Sequence, residues 1–329
     1  MGEFELIASY FTRPELLARY PQVQLGVGDD CALLRPPAGE VLAISTDTLV
    51  SGVHFFADVA PRTLGHKALA VNLSDLAAMG AAPLGFTLAL TLPQVDEVWL
   101  AEFAAGLHAL ADAHACPLIG GDTTRGPLAI GITVLGSVPP HLALRRSGAQ
   151  LGDDIYISGS AQDCLGQARA GLALRQGELA LGQLDAQQAL QRLECPSPRV
   201  ALGQALRGLA SSALDVSDGL LGDLQHILRA SGAGAVLDAP ALLAMAESRP
   251  VLPALPQAQR LDFVCHGGDD YELLFTAAPA QAAAVAQAAL AAGCTATRIG
   301  RIALAAQGLQ VLDALGQVLS LAGGSFVHF

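Results

Sequence analysis

The sequence predicts a layered α/β protein of two domains, and three observations lead there. Its 329 residues exceed what one hydrophobic core usually supports and suggest two domains of roughly 150 residues each. Short apolar runs alternate with longer stretches of helical spacing. That alternation halts in the polar, glycine-punctuated segment Arg145-Arg146-Ser147-Gly148-Ala149-Gln150-Leu151-Gly152-Asp153-Asp154 and then begins afresh, which sets the boundary near residue 150 and divides the chain into 1–150 and 151–329.

Each element has its own signal. Glu3 to Phe11 has helical spacing, and Val41 to Thr46 is an apolar run of strand length. Thr63 to Met79 is a helix closed by Gly80, with Pro83 soon after. Phe86 to Leu92 and Leu128 to Val138 are strands flanking a long amphipathic helix, Asp96 to Ala115. Asp96 is its N-cap, and Val98, Leu100, Phe103, Leu107 and Leu110 form the core-facing set. The second half reads as strand Ile155 to Ser158, helices 161–173 and 198–210, strand 213–216, helix 217–230, strand 271–276 and helix 278–292. Residues 174–192 and 240–260 read as helical excursions and loops without chemistry, and no fixed-period repeat is present.

Composition narrows the function classes. Hydrophobic residues make up 52% and charged residues 15%, the balance of an ordered globular protein. A formal charge of −12 argues against a nucleic-acid binder, which would carry a basic patch. Six cysteines with no C-x-x-C pair read as scattered buried thiols in a reducing compartment. The first residues lack signal-peptide character and no apolar run has the character of a membrane span, so the expectation is a cytoplasmic protein with no membrane partner.

The chemistry sits in five short acidic segments. These are Gly28-Asp29-Asp30, Ser45-Thr46-Asp47, Asn72-Leu73-Ser74-Asp75, Gly120-Gly121-Asp122 and Asp215-Val216-Ser217-Asp218-Gly219. Carboxylates and hydroxyls are hard oxygen ligands suited to Mg²⁺, which usually binds through one or two carboxylates plus substrate phosphates. Gly28-Asp29-Asp30 taken singly reads equally as a turn, and Ser45 to Thr48 as a helix cap or as three oxygen side chains at a strand end. Asp75 is different, because its helix is otherwise apolar and a carboxylate there needs a partner or a metal. Gly120 and Gly121 would bring backbone N–H groups close to a phosphate, or else make a tight turn. Asp215, Ser217 and Asp218 fall at a strand-to-helix junction, where a helix N-terminus attracts anions.

The familiar phosphate cradles are missing. No P-loop and no complete G-x-G-x-x-G occurs, and Lys67 is the only lysine. Phosphate charge would therefore be balanced by metal ions and arginine. Arg146, with its planar fork, reads as a cation for phosphate oxygens or as a solvated arginine of the linker.

Taken in order, Gly28-Asp29-Asp30, Ile44-Ser45-Thr46-Asp47, His54-Phe55, the helix Lys67 to Ala81, Gly120-Gly121-Asp122-Thr123-Thr124, Arg146-Ser147-Gly148, Asp215-Val216-Ser217-Asp218-Gly219-Leu220 and Gly267-Gly268-Asp269-Asp270-Tyr271-Glu272-Leu273 resemble the thiamine-monophosphate kinase family. That family belongs with aminoimidazole ribonucleotide synthetase and selenophosphate synthetase. The resemblance implies a two-domain aminoimidazole ribonucleotide synthetase-like fold, with the N-terminal domain binding ATP and metal and pairing across a homodimer. The C-terminal domain would complete the nucleotide and substrate site. It further implies ATP-dependent phosphorylation of thiamine monophosphate to thiamine diphosphate with several Mg²⁺ ions. By motif, Asp30, Ser45, Thr46, Asp47, Asp75, Asp122, Asp215 and Asp218 would be metal ligands. Gly121, Asp122, Arg146 and Ser217 would touch ATP, and His54, Asp269 and Gly323 would lie on the substrate side. Two positions depart from the family pattern: Asp269 stands where Glu is common, and Gly323 where an aromatic residue is frequent.

The charge on the acceptor sets the expected mechanism. A phosphate monoester has a second pKa of about 6, so its attacking oxygen is already anionic and needs no general base. Direct in-line transfer by metal-assisted positioning follows. Three alternatives stand at this point: a sister ATPase of the same superfamily, a metal-dependent phosphohydrolase, and a divalent-cation binding protein without turnover.

Overall fold

A computed structural model of the chain describes residues 2–13 and 19–321. It falls into two compact units, one formed by residues 1–76 and 81–141 and the other by 77–80 and 142–329.

The first unit opens with a short helix, Glu3–Leu6, that widens into a π-helix over Ile7–Phe11, and a small antiparallel pair, β1 (Val23–Leu25) and β2 (Leu33–Leu34). Its main sheet holds β3 (Val41–Val50), β4 (Ala82–Leu92), β5 (Leu118–Arg125) and β6 (Ala129–Val138) in the order β3-β6-β4-β5. β3 and β4 flank β6 antiparallel, whereas β4 and β5 run parallel. Helices Pro61–Ala78 and Glu97–Ala113 connect these strands. The first is apolar on nearly every side, with Leu64, Leu69, Leu73 and Leu76 at most 1% exposed. An all-round apolar helix belongs in a core. Asp96 caps the second, its Oδ1 accepting from the Val98 and Trp99 amides at 3.0 Å.

Two expectations change here. Leu100, Phe103, Leu107 and Leu110 are buried, but Val98 is 76% exposed. At 100° per residue it lies about 200° around the helix from Leu100. The glycines at 120 and 121 lie inside β5 and not in a turn.

The second unit is built on a six-stranded sheet. Its strands are β7 (Asp154–Gly159), β8 (Ser212–Val216), β9 (Gly234–Asp238), β10 (Glu272–Ala277), β11 (Thr295–Ala303) and β12 (Leu309–Leu312), in the order β12-β9-β11-β7-β10-β8. All neighbours are antiparallel except β12 and β9. Ile155, Ile157, Leu214, Val216 and Leu274 pack with Leu220, Leu224 and Ile227 of the helix Leu220–Ser231 in one buried cluster.

Several helices are shorter than their spacing predicts. The one expected over 161–173 spans Gln167–Arg175, because the Ser160 hydroxyl accepts from the amides of Gln162 and Asp163 and Gly166 is left-handed at φ 88°. That over 198–210 spans only Val200–Ala205. Residues 217–219 form a loop ahead of the helix at Leu220. β9, β11 and β12, and the helix Gln183–Glu194, were not read from the sequence as individual elements. The thiols are also not all buried: Cys31 is exposed, and Cys195 and Cys294 are half-buried. Among the described residues no helix is long and apolar enough to cross a membrane.

Candidate active site

In the first unit the pleat of β3 sorts its oxygen side chains. Alternate residues of a strand face opposite sides, so Ser45 and Asp47 share a face while Thr46 turns away. Ser45 Oγ donates to Asp75 Oδ2 on the buried helix. One turn earlier on that helix, Asn72 Oδ1 accepts from the Asp47 amide at 3.2 Å, and its Nδ2 donates to Ala68 O at 3.0 Å. Thr46 Oγ1 instead meets Thr133 Oγ1 on β6 at 2.8 Å. The three hydroxyl and carboxyl groups therefore do not converge as a strand end would allow: the strand continues to Val50 and only two of them face Asp75.

Burial, reinforced by the neighbouring Asp75 carboxylate, pushes the Asp47 carboxyl up to about 6. Two adjacent carboxylates and a hydroxyl in a half-buried setting are a hard-oxygen donor set, and the mutual repulsion of the acids is what a divalent cation would relieve. On those grounds the residues fit Mg²⁺.

The other predicted members of the first unit stand apart. Asp122 lies on β5, at the opposite edge of the sheet from Asp47, with β6 and β4 between them. Three strand spacings of about 4.8 Å separate the two edges along the sheet. Gly121 is required there: its φ is 152°, and a Cβ would stand 2.0 Å from Leu88 O of β4. The end of β5 lines a cleft of about 540 Å³ through Thr123, Thr124 and Arg125, with Leu92 and Gln94 opposite. Asp30 is exposed, its amide bonded to Asp29 Oδ1 at 2.9 Å. His54 Nδ1 accepts from the Val50 amide at 3.0 Å, which leaves the neutral ring's proton on Nε2. Among the described residues no group of three or more His, Cys, Asp or Glu is close enough to hold a metal ion by itself.

In the second unit two loops are pinned side by side. Asp269 N donates to Ser217 O and Tyr271 N to Val216 O, both at 2.9 Å, so Asp215, Ser217 and Asp218 share one edge with Asp269. The anion-attracting amides expected of this junction are already engaged. Ser217, Asp218 and Gly219 all donate to Asp223 Oδ2 at 3.1 Å. Burial pushes the Asp223 carboxyl up to about 6 against the pull of those amides. Sequence reading missed Asp223, although an acid in the first turn after an Asp-Gly junction was the available signal.

Arg146 is exposed, and its carbonyl lies 3.4 Å from Ser231 Oγ, at the far end of the helix that follows the Ser217 loop. His226 lies midway along that helix, within the electrostatic reach of Arg146 and Asp218. Burial first, then Arg146 and Arg229, hold the imidazole below its usual range, while Asp218 pulls the other way. Also missed were Arg192 and Arg199, both buried against Glu272 of β10. Gly323 lies outside the described residues.

Known proteins are similar to this chain in sequence and fold. The family model "AIR synthase related protein, N-terminal domain" matches residues 28–138, and its C-terminal counterpart matches 150–308. The chain is 48% identical over 309 residues to thiamine-monophosphate kinase of Salmonella typhimurium, covering 94% of this chain and 92% of the relative. It is 47% identical over 331 residues to that of Escherichia coli K12, covering 100% and 98%. The crystal structure of thiamine-monophosphate kinase from Stenotrophomonas maltophilia K279a superimposes with a TM-score of 0.81 at 45% identity, over 94% of this chain and 98% of the other. AaThiL complexed with AMPPCP and TMP superimposes with a TM-score of 0.74 at 26% identity, over 100% and 97%.

Proposed function

The chain belongs to the AIR synthase related protein family and, within it, to the thiamine-monophosphate kinases, and from that premise we propose that it transfers the γ-phosphate of ATP to thiamine monophosphate, giving thiamine diphosphate. The observation that carries the reading is 47% identity spread over the whole chain. A relative of the same architecture holds AMPPCP and TMP together, in agreement with ternary-complex chemistry.

The site residues take roles within this reading. Ser45, Asp47 and Asp75 form the central metal-binding group; Asp30 and Asp122, which stand apart from it, and Asp215 and Asp218 of the second unit would serve further ions, while Thr46, on the opposite face of β3, lies outside the central group. Mg²⁺, when bound, would neutralise the γ-phosphate and hold donor and acceptor phosphates in line. Gly121, Asp122, Arg146 and Ser217 bind ATP, with the N-terminal domain (1–150) carrying the nucleotide and metal. His54 and Asp269 bind thiamine monophosphate, Gly323 being assigned to the substrate side by motif alone, and the C-terminal domain (151–329) contributes to substrate binding. The acceptor's second pKa of about 6 makes its oxygen a ready nucleophile, so no side chain serves as general base and no phospho-enzyme forms.

We also propose a homodimer paired through β3. That strand is an unpaired edge ten residues long, and it exposes Leu42 (44%) and Ile44 (60%). A long apolar edge strand is a liability unless covered. A reaction that consumes ATP supports a cytoplasmic location. Phosphorus NMR of protein, ATP, Mg²⁺ and thiamine monophosphate tests the reaction. Appearance of a thiamine diphosphate signal matched by ADP supports it; inorganic phosphate released at the same rate with or without the acceptor would replace it with a hydrolase.

A further inference from the structure

The segment Gly267 to Glu272 is held in a conformation its residues do not favour. Asp269 has φ 66° and Tyr271 φ 51°, both in the left-handed region that residues with a Cβ seldom occupy. Such backbone persists only where its surroundings over-determine it. The two strained residues are half-exposed, and those that alternate with them, Asp270 and Glu272, are fully buried.

Beyond the backbone bonds to Val216 and Ser217, the charged groups that fix the turn grip it from the buried side. Asp270 Oδ2 accepts from Gly166 N at 2.6 Å and its Oδ1 from Ala168 N at 3.0 Å. Arg192, 3% exposed, spends one nitrogen on both ends of the strained stretch: Nη2 donates to the Asp270 carbonyl and to Glu272 Oε1, the latter at 2.6 Å. Arg199 completes the charge, with Nε 2.8 Å from Glu272 Oε2 and Nη2 3.2 Å from Asp163 Oδ2. On the exposed side the Tyr271 hydroxyl donates to Asp269 Oδ1 at 3.3 Å. Gly268 is packed so closely that a Cβ would stand 2.3 Å from Ser217 O.

We propose that Arg192 is a positioning residue for substrate binding: by bonding the Asp270 carbonyl and Glu272 together from beneath, it locks the left-handed turn that aims Asp269 at the thiamine phosphate. The inference rests on the assignment of Asp269 to the substrate side. Arg192 touches no substrate itself. Its guanidinium is suited to the task because the other nitrogens of the same planar, permanently charged group face Asp163 at 3.8 Å and the Asp270 carboxylate at 3.7 Å while Nη2 holds the turn, a spread that the single nitrogen of an ammonium does not reproduce.

The test compares full-length wild type with Arg192→Lys, Arg192→Met and Asp163→Asn. Asp163 meets the arginines but not the turn, so its variant reports the purely structural cost of disturbing the network. Steady-state kinetics should show the KM for thiamine monophosphate raised about tenfold or more in both Arg192 variants, as a displaced binding group does. The KM for ATP should stay within about threefold, and Asp163→Asn should leave both constants unchanged at a comparable loss of melting temperature. Should Arg192→Met not fold, Arg192→Lys, which keeps the charge beside Glu272, gives the answer alone. An unchanged KM for thiamine monophosphate in Arg192→Lys, or an equal rise in Asp163→Asn, overturns the inference. Wild type that makes no thiamine diphosphate at all would instead overturn the functional assignment beneath it.

Discussion

Replacing Glu272 by alanine is the severest test of how the second unit holds its site. Glu272 is fully buried and takes hydrogen bonds from Arg192 at 2.6 Å, from Arg199 at 2.8 and 2.5 Å, and from the Ser158 hydroxyl. Desolvation opposes its charge, but Arg199 and Arg192 outweigh that and hold the carboxyl below its ordinary range. Removing it strands two guanidiniums in the interior. Breaking a buried pair from one side costs about 3–5 kcal/mol, because the remaining charge is uncompensated. For a domain of this size each kcal/mol moves Tm by about 2–4 °C, so the expected fall is about 6–20 °C. Thermal unfolding followed by circular dichroism reads it, with Glu102→Ala as control. Glu102 pairs with Arg62 at 2.7 Å on the open surface, where an ion pair contributes little. A Glu272→Ala shift no larger than that of Glu102→Ala would refute the reasoning.

Three further outcomes follow from the same geometry. Burial pushes the Asp270 carboxyl up to about 7, against Arg192 and its two amide donors. An acid whose folded pKa is raised loses stability as pH climbs from its unfolded pKa, about 3.9, to the folded one. Wild type should therefore lose stability relative to Asp270→Asn between about pH 4 and 7, and denaturant titrations at several pH values showing a flat difference would contradict it. Gly121→Ala, whose Cβ would stand 2.0 Å from Leu88 O, should lower Tm sharply, whereas Gly120→Ala, facing Thr87 Cγ2 at 3.8 Å, should be tolerated; equal melting curves would show that β5 does not approach β4 as described. Ile44→Glu should convert the proposed dimer to monomer in light scattering after size exclusion, and an unchanged mass would remove β3 from the interface.

What could be read in the sequence was local. The Asp96 cap, the apolar helix around Asp75 and the strand at Ser45 each depend on neighbours a few residues away, and each is present. Reading failed where the deciding partner is distant or the backbone unusual. Thr46 looked equivalent to Asp47 until the pleat was fixed by pairing with β6. Gly120 and Gly121 read either as backbone open to a phosphate or as a turn, yet they lie within a strand, where Gly121 is what lets two parallel strands approach. Arg192 falls in the stretch 174–192 that reads as carrying no chemistry, and Arg199 gives no signal, since their partner Glu272 lies 80 and 73 residues away in the chain. Sequence reading does not single out Asp223 at all, whereas it closes the Ser217 loop.

The central claim is that Asp47 and Asp75 act as a metal-binding pair for phosphoryl transfer, and initial rates of thiamine diphosphate formation by wild type and Asp47→Asn across a Mg²⁺ titration test it most directly. The account predicts a rate that depends on Mg²⁺ in wild type and is abolished by chelator. In the variant it predicts a rate lower by about 10²–10³ that excess Mg²⁺ restores only in part, the scale on which losing one electrostatic support of the transition state acts. Equal rates and equal Mg²⁺ dependence in the two proteins would contradict it.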